Sequence, residues 1–223
     1  MRGVALAAGI ACLIGGAAAS AADLEDLCRK GMRAEKFIAE AVDGADGTRV
    51  IVALGQFDGG ASERLEKLVG ESKRVDEIWF CSPGGRVVEG QRMGRFIRSN
   101  GLATRIPAGF KCASACVDAF LGGVVRFVAE ERSLGIHMQS TSGSEALRSK
   151  VSDSITKDGD KATVSVIQTF EQIGAQGTAD WVRYMMQMGV SIRIVQLAVK
   201  VAHDEIHFLT WQDMRSFNVI NSD

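Results

Sequence analysis

From about residue 49 onward, short β-branched apolar runs alternate with stretches of helical spacing. RVIVALG (Arg49 to Gly55) is a short apolar run closed by glycine, as expected of a buried strand. ASERLEKLVGES follows as a helix, with Leu65, Leu68 and Val69 on one face and Ser62 as its candidate N-cap. DEIWFCSPGG is a second apolar run, broken by Pro83 and the glycines. VVEGQRMGRFIRSNG then sets Val88, Met93, Phe96 and Ile97 at mostly helical spacing, with Gly101 as its stop. LATRIP predicts a third strand, ASACVDAFLGG a short helix closed by glycines, VRFVAE a fourth strand and SLGIHM a fifth. The pattern turns helical from Thr163 to His203, and EIHFLTWQDMRSFNVI closes the chain with a strand, a short helix begun at Thr210 and a last strand. Such alternation predicts an α/β fold, a mostly parallel sheet built from repeated β-α-β units with flanking helices. Residues 23–48 are expected to form a helical segment ahead of this domain, which occupies 49–223. The polar stretch from Gln139 to Thr163 reads as a loop or lid.

The N-terminus changes the picture, because it decides what cysteine means. Arg2, an apolar stretch from Val4 to about Ile14 and the small residues of GGAAASAAD form the pattern of a secretory signal peptide over residues 1–22. A transmembrane anchor would need roughly 20 apolar residues, and Gly9, Gly15, Gly16 and the alanines leave this stretch short. Cys12 does not fit a lipoprotein cysteine, since Gly9 stands where a bulky aliphatic residue is required. The expected mature chain begins at Ala22 or Asp23 and is periplasmic or secreted. Its length of about 200 residues suits one domain with a single core. A net charge of −1 offers no basic field for nucleic acid. Cys28, Cys81, Cys112 and Cys116 remain, an even set that an oxidising compartment allows to pair in three ways.

In a parallel α/β sheet, ligands and reacting groups gather beyond the carboxyl ends of the strands. Three stretches fall there. In SPGG, Pro83 fixes φ while Gly84 and Gly85 permit a sharp turn with an unobstructed N–H. In CASAC, Ser114 stands where a strand passes into a helix, either as an N-cap or as a hydroxyl beside unpaired N–H groups that could hold an oxyanion. LGIHM carries His137 near the end of an apolar strand, as a core histidine or as a base.

In order and spacing, these stretches resemble the Clp protease proteolytic subunit and crotonase superfamily, and in particular its exported, Clp-like branch. CSPGGRVVEGQRMGRFIR is similar to the family's strand, turn and helix, and CASACVDAFLGGVVRFVAEERSLGIHMQ to its nucleophile helix, glycine pair and histidine strand. FLTWQDMRSFNVI is similar to its closing element. The resemblance runs from about Arg49 to Asn221 and implies a ClpP/crotonase-like fold. It implies Ser114 as nucleophile, His137, twenty-three positions on, as general base, and the N–H groups of Gly85 and Ala115 as oxyanion donors. The third member fits less well. Alignment on Phe208 puts Ile206 at the acid's position, leaving Asp204 as the candidate and Glu205 as second choice.

The cysteines flanking Ser114 admit several readings. A zinc half-site with His137 lacks a second ligand pair at matching spacing. Across one helical turn the Cα separation is about 6 Å, within disulfide range, so Cys112 and Cys116 could bridge; a Cys81–Cys112 bridge competes. Met185, Met186 and Met188 read as helix core, and His203 and His207 straddle a break, so no metal site is expected. The expected function is an exported serine hydrolase, an endopeptidase of the Clp class acting on a peptide or protein substrate without cofactor or metal. No ATPase-docking feature is visible, and a homo-oligomer remains open. The alternative is a non-catalytic binding or assembly module on the same fold. A coenzyme A-dependent enzyme is disfavoured, because that cofactor is not expected outside the cytoplasm.

Overall fold

The computed structural model of the protein describes residues 21–43, 48–139 and 145–222. The expected leader, 1–22, lies outside the described residues except for Ala21 and Ala22. In chain order the first elements are α1 (Ala21–Gly31), β1 (Ile38–Asp43), β2 (Arg49–Leu54), α2 (Ala61–Glu71), β3 (Glu77–Cys81), α3 (Val87–Ser99) and β4 (Ala103–Ile106). Then come β5 (Cys112–Ala113), α4 (Ala115–Leu121), β6 (Arg126–Val128), β7 (Leu134–Ile136), α5 (Glu145–Gln187), α6 (Arg193–Ala198), β8 (His207–Phe208) and α7 (Trp211–Ser216).

Two sheets result. The larger has the order β1-β2-β3-β4-β6; its neighbours from β2 to β6 are parallel, and β1 closes one edge antiparallel to β2. The smaller has the order β5-β7-β8, with β5 and β7 parallel and β8 antiparallel. A bridge between Ser82 and Cys112 joins the two at the carboxyl end of β3. Val50 to Leu54 are all buried, so β2 is covered on both faces and reads as a continuous apolar run rather than an alternating one. Leu65 of α2 and Met93 and Ile97 of α3 are fully buried in the same core.

The short helix α4 starts directly after Ser114 and is seated closely on α3. Gly90 and Gly94 allow the two helices to meet backbone to backbone. A Cβ at Gly90 would lie 2.2 Å from the Ala115 carbonyl oxygen, and one at Gly94 would lie 2.8 Å from that of Asp118. The Tyr184 hydroxyl from α5 donates to the Asp118 carbonyl at 2.5 Å. Among the described residues, no helix is long and apolar enough to cross a membrane.

Several elements differ from the sequence expectation. Residues 23–48 are helical only to Gly31; Ile38–Asp43 is a strand. The polar stretch from Gln139 is helix from Glu145 onward, although 140–144 lie outside the described residues. This helix is interrupted at Gly159, where φ is 59°. Gly60, not Ser62, caps α2. Ser62 is buried instead, and its N–H and hydroxyl donate to the Glu89 carboxylate of α3 at 2.9 and 2.8 Å. The helix after Thr210 forms with a capping box to Asp213. No strand succeeds it among the described residues. The Arg126 N–H donates to Asn221 Oδ1 at 2.8 Å and its carbonyl accepts from the Asn221 N–H at 3.3 Å, so side-chain and main-chain bonds together hold the tail to β6.

Candidate active site

The site begins at Ser82, the last residue before Pro83 and the glycine pair. Its buried hydroxyl donates to the Gly55 carbonyl at 2.6 Å and accepts from the Gly84 N–H at 3.0 Å. Its backbone bonds both to Lys111 and to Ala113, so one residue fixes the loops after β2 and β3 and the approach to β5. Gly84, at φ 91°, presses on the next segment. A Cβ there would lie 2.8 Å from both the Ala115 nitrogen and the Ser114 Cβ, which no side chain could tolerate. The two N–H groups expected to face an oxyanion, those of Gly85 and Ala115, therefore sit on segments in direct contact. Among the described residues neither donates a hydrogen bond.

Ser114 links β5 to α4 with φ 56° and ψ −130°, a conformation that costs a non-glycine residue about 1–3 kcal/mol. Its side chain makes no capping bond, which removes the simplest structural reason for a serine at this position. The strain is held from several sides. The Ser114 N–H donates to Gly135 at 2.8 Å, and the Val117 N–H closes the first turn on the Ser114 carbonyl at 2.9 Å. A disulfide between Cys112 and Cys116 spans the residue, with a Cα separation of 5.3 Å. Cys81 pairs not with Cys112 but with Cys28, tying α1 to the end of β3. Both bridges suit an oxidising environment.

His137 comes directly after β7, two residues beyond the carbonyl that receives the Ser114 N–H, and both side chains line one cavity. Burial lowers the His137 pKa below the usual histidine value. A backbone contact at Met138 opposes the shift and the charge of His203 adds to it, so the imidazole is neutral at neutral pH, as a base must be. Its Nδ1 is buried without a hydrogen-bond partner. Asp204 and Glu205 are exposed, on the turn closed by the Glu205 N–H on the Ala202 carbonyl. Neither orients the imidazole here. The β7–β8 ladder ends at the pair Ile136 and His207, and beyond it the Met138 N–H donates to the Val201 carbonyl at 3.0 Å, away from Asp204 and Glu205.

Asp118 is a site residue that the sequence reading missed. It lies one helical turn beyond Ser114, is 3 % exposed, and lines the same cavity. The Trp181 Nε1–H donates to its Oδ1 at 3.0 Å. Burial pushes its pKa up to about 7, against the hydrogen bonds from Trp181 and Gln91 and the charge of Arg95. The signal was present in the sequence, since Asp118 is the one charged residue of ASACVDAFLGG. The cavity, a small hollow partly open to solvent, is otherwise walled largely by apolar groups, among them Val87, Ile136, Met185 and Ile194. Among the described residues no group of three or more His, Cys, Asp or Glu side chains is gathered as a metal site. No family model matches the chain, and no curated protein matches it.

Proposed function

We propose that the protein is an exported serine hydrolase with a ClpP/crotonase-like fold, acting on peptide or protein substrates through Ser114 and His137. The observation that carries this reading is Ser114 itself: a strained, uncapped serine at a strand-to-helix turn, sharing a cavity with a neutral histidine. Unspent N–H groups at Gly85 and Ala115 support it, and the two disulfides support a periplasmic or secreted location. In the proposed reaction the Ser114 oxygen bonds to the substrate carbonyl carbon while His137 takes the hydroxyl proton. The Gly85 and Ala115 N–H groups hold the oxyanion. His137 then returns the proton to the departing amine as the C–N bond breaks, and water releases the acyl group by the same steps. With Nδ1 unpartnered, His137 acts as half of a dyad, without the tautomer control that an acid would supply.

A fluorophosphonate probe tests this reading. Ser114 should displace fluoride and form a bond to phosphorus, with a rate that falls on acidification at a midpoint below pH 6.5, the direction in which burial moves His137. Ser114→Ala should abolish labelling, and labelling that persists would sink the assignment. A second reading, a binding module on the same fold, is favoured by the orphaned His137 Nδ1 and by the exposure of the candidate acids Asp204 and Glu205. Complete inertness of the wild type would select it.

The Cys112–Cys116 bridge gives a further expectation. The closed loop is so short that its loss should cost no more than about 3 kcal/mol of stability. Release of the turn should misplace the Ala115 donor, and loss of one such donor costs on the order of 10²-fold in rate. The Cys112→Ala, Cys116→Ala variant should therefore keep its circular dichroism and lose most of its probe reactivity. Labelling as fast as wild type would show that the bridge has no part in the chemistry.

A further inference from the structure

We propose that the N-terminal segment 28–37 positions the oxyanion site, with Cys28 and Phe37 as positioning residues that act on the reaction through Gly85. The inference rests on the hydrolase reading for its chemistry, but the placement of Gly85 can be observed without catalysis. Gly85 lies in a backbone clamp. The Phe57 N–H donates to the Gly84 carbonyl at 2.7 Å and the Arg86 N–H donates to the Phe57 carbonyl at 2.8 Å, so both neighbours of Gly85 are bonded to one residue. The fit leaves no slack. A Cβ on Gly85, at φ 139°, would lie 2.6 Å from the Phe57 carbonyl oxygen. The direction of the Gly85 N–H is therefore set by where Phe57 stands.

The segment holds Phe57 in turn. The Phe57 side chain is fully buried and meets the Phe37 ring edge to face, with centroids 5.5 Å apart. On either side of it, the Gln56 N–H donates to the Ala34 carbonyl at 2.9 Å, and the Phe37 N–H donates to the Asp58 carboxylate at 3.1 Å. A Cβ on Gly55 would lie 2.2 Å from the Lys36 carbonyl oxygen, so the two backbones are in contact there as well. The other end of the segment is tied covalently. Cys28 is bonded to Cys81, fifty-three residues along the chain and next to Ser82, whose hydroxyl accepts from the Gly84 N–H. The segment thus grips the donor turn from both sides, through the loop after β2 and through the end of β3. No described side chain of the segment lines the hollow beside Ser114, so its influence on the reaction passes through Gly85.

Two variants test this, Cys28→Ala with Cys81→Ala, and Phe37→Leu alone. In heteronuclear NMR the Gly85 amide resonance should shift in both, while the amides of β6, at the far edge of the same sheet, keep their positions. With the fluorophosphonate probe, the rate at saturation should fall on the order of 10²-fold in the cysteine variant, the cost of a misplaced donor, and in the same direction in Phe37→Leu. The half-saturating probe concentration should not change. A residue that merely supported the fold would lower the folded fraction and leave the rate per folded molecule as it was. Phe37→Leu keeps the bridge and an apolar side chain, so it decides the matter if the cysteine variant does not fold. An unmoved Gly85 amide, or saturated labelling as fast as wild type, would overturn the proposal. A shifted Gly85 amide in a protein whose wild type never labels would leave the positioning and remove the hydrolase, whereas wild-type labelling with an unmoved Gly85 would do the reverse.

Discussion

Asp118→Asn should make the protein more stable than wild type at pH 8 by about 4 kcal/mol, while the two should be equally stable near pH 4. The sign comes from proton counting. The carboxyl titrates near 3.8 in the unfolded chain and at about 7 in the folded one. Between those values the native state holds a proton that the unfolded state has released, so wild-type stability falls as pH rises through that window. Each pKa unit is worth about 1.4 kcal/mol, and the interval of roughly three units gives the stated magnitude. Asparagine keeps an acceptor for the Trp181 N–H and has nothing to ionise. His137, whose folded pKa is lowered, works in the opposite direction near neutrality but is common to both proteins and cancels in the difference. Urea denaturation of both at pH 4, 6 and 8 decides the matter, and parallel stability profiles would refute it.

Arg126→Met should destabilise the fold by about 3–5 kcal/mol, whatever happens at the active site. The guanidinium is 1 % exposed. It donates to the Val219, Gly123 and Asn218 carbonyls at 2.8, 2.9 and 2.8 Å. Burial, with the charge of Arg98 adding, lowers its pKa to about 10, against the influence of Tyr184. Replacing both halves of a buried ion pair with apolar groups is often neutral. Here the partners are main-chain oxygens that stay behind, each losing a charge-assisted bond worth about 1.5–3 kcal/mol. Desolvation of the cation offsets part of the sum, which sets the lower figure. A loss below about 1 kcal/mol in chemical denaturation would show that the tail is held by other means.

The strands β2, β3, β4 and β6 were legible because each is a short apolar run bounded by glycine, proline or a helix with a clear face. Ile38–Asp43 was not, since IAEAVD has weak strand formers and is mostly half-buried at a sheet edge, so neither alternation nor continuity marks it. The helix over 145–162 escaped for a related reason: no side chain described between 149 and 162 is buried, and the sequence there has no stripe to recognise. The positions of Ser114, His137 and the glycine pair just beyond strands were readable from local motifs. An orienting acid was not, because what approaches His137 depends on how the chain runs back to β8, and the candidates Asp204 and Glu205 lie exposed on the turn before it. Asp118 was overlooked because an isolated acid on a short helix takes its meaning only from what closes over it, here Trp181 from sixty-three residues away.

The bare stretch of α5 also divides the molecule into regions of unequal cooperativity. Turns that contact no core are held by their own hydrogen bonds, and an isolated helix of this kind is marginal in water. Among the described residues of α5 the first buried anchor is Trp181, with Tyr184 and Met185 next. Amides ahead of that point can exchange with solvent through local fraying, whereas those behind it open only with the sheet and α4. Far-ultraviolet ellipticity thus mixes two populations of helix, and only signals from beyond Trp181 report the stability of the fold that holds Ser114.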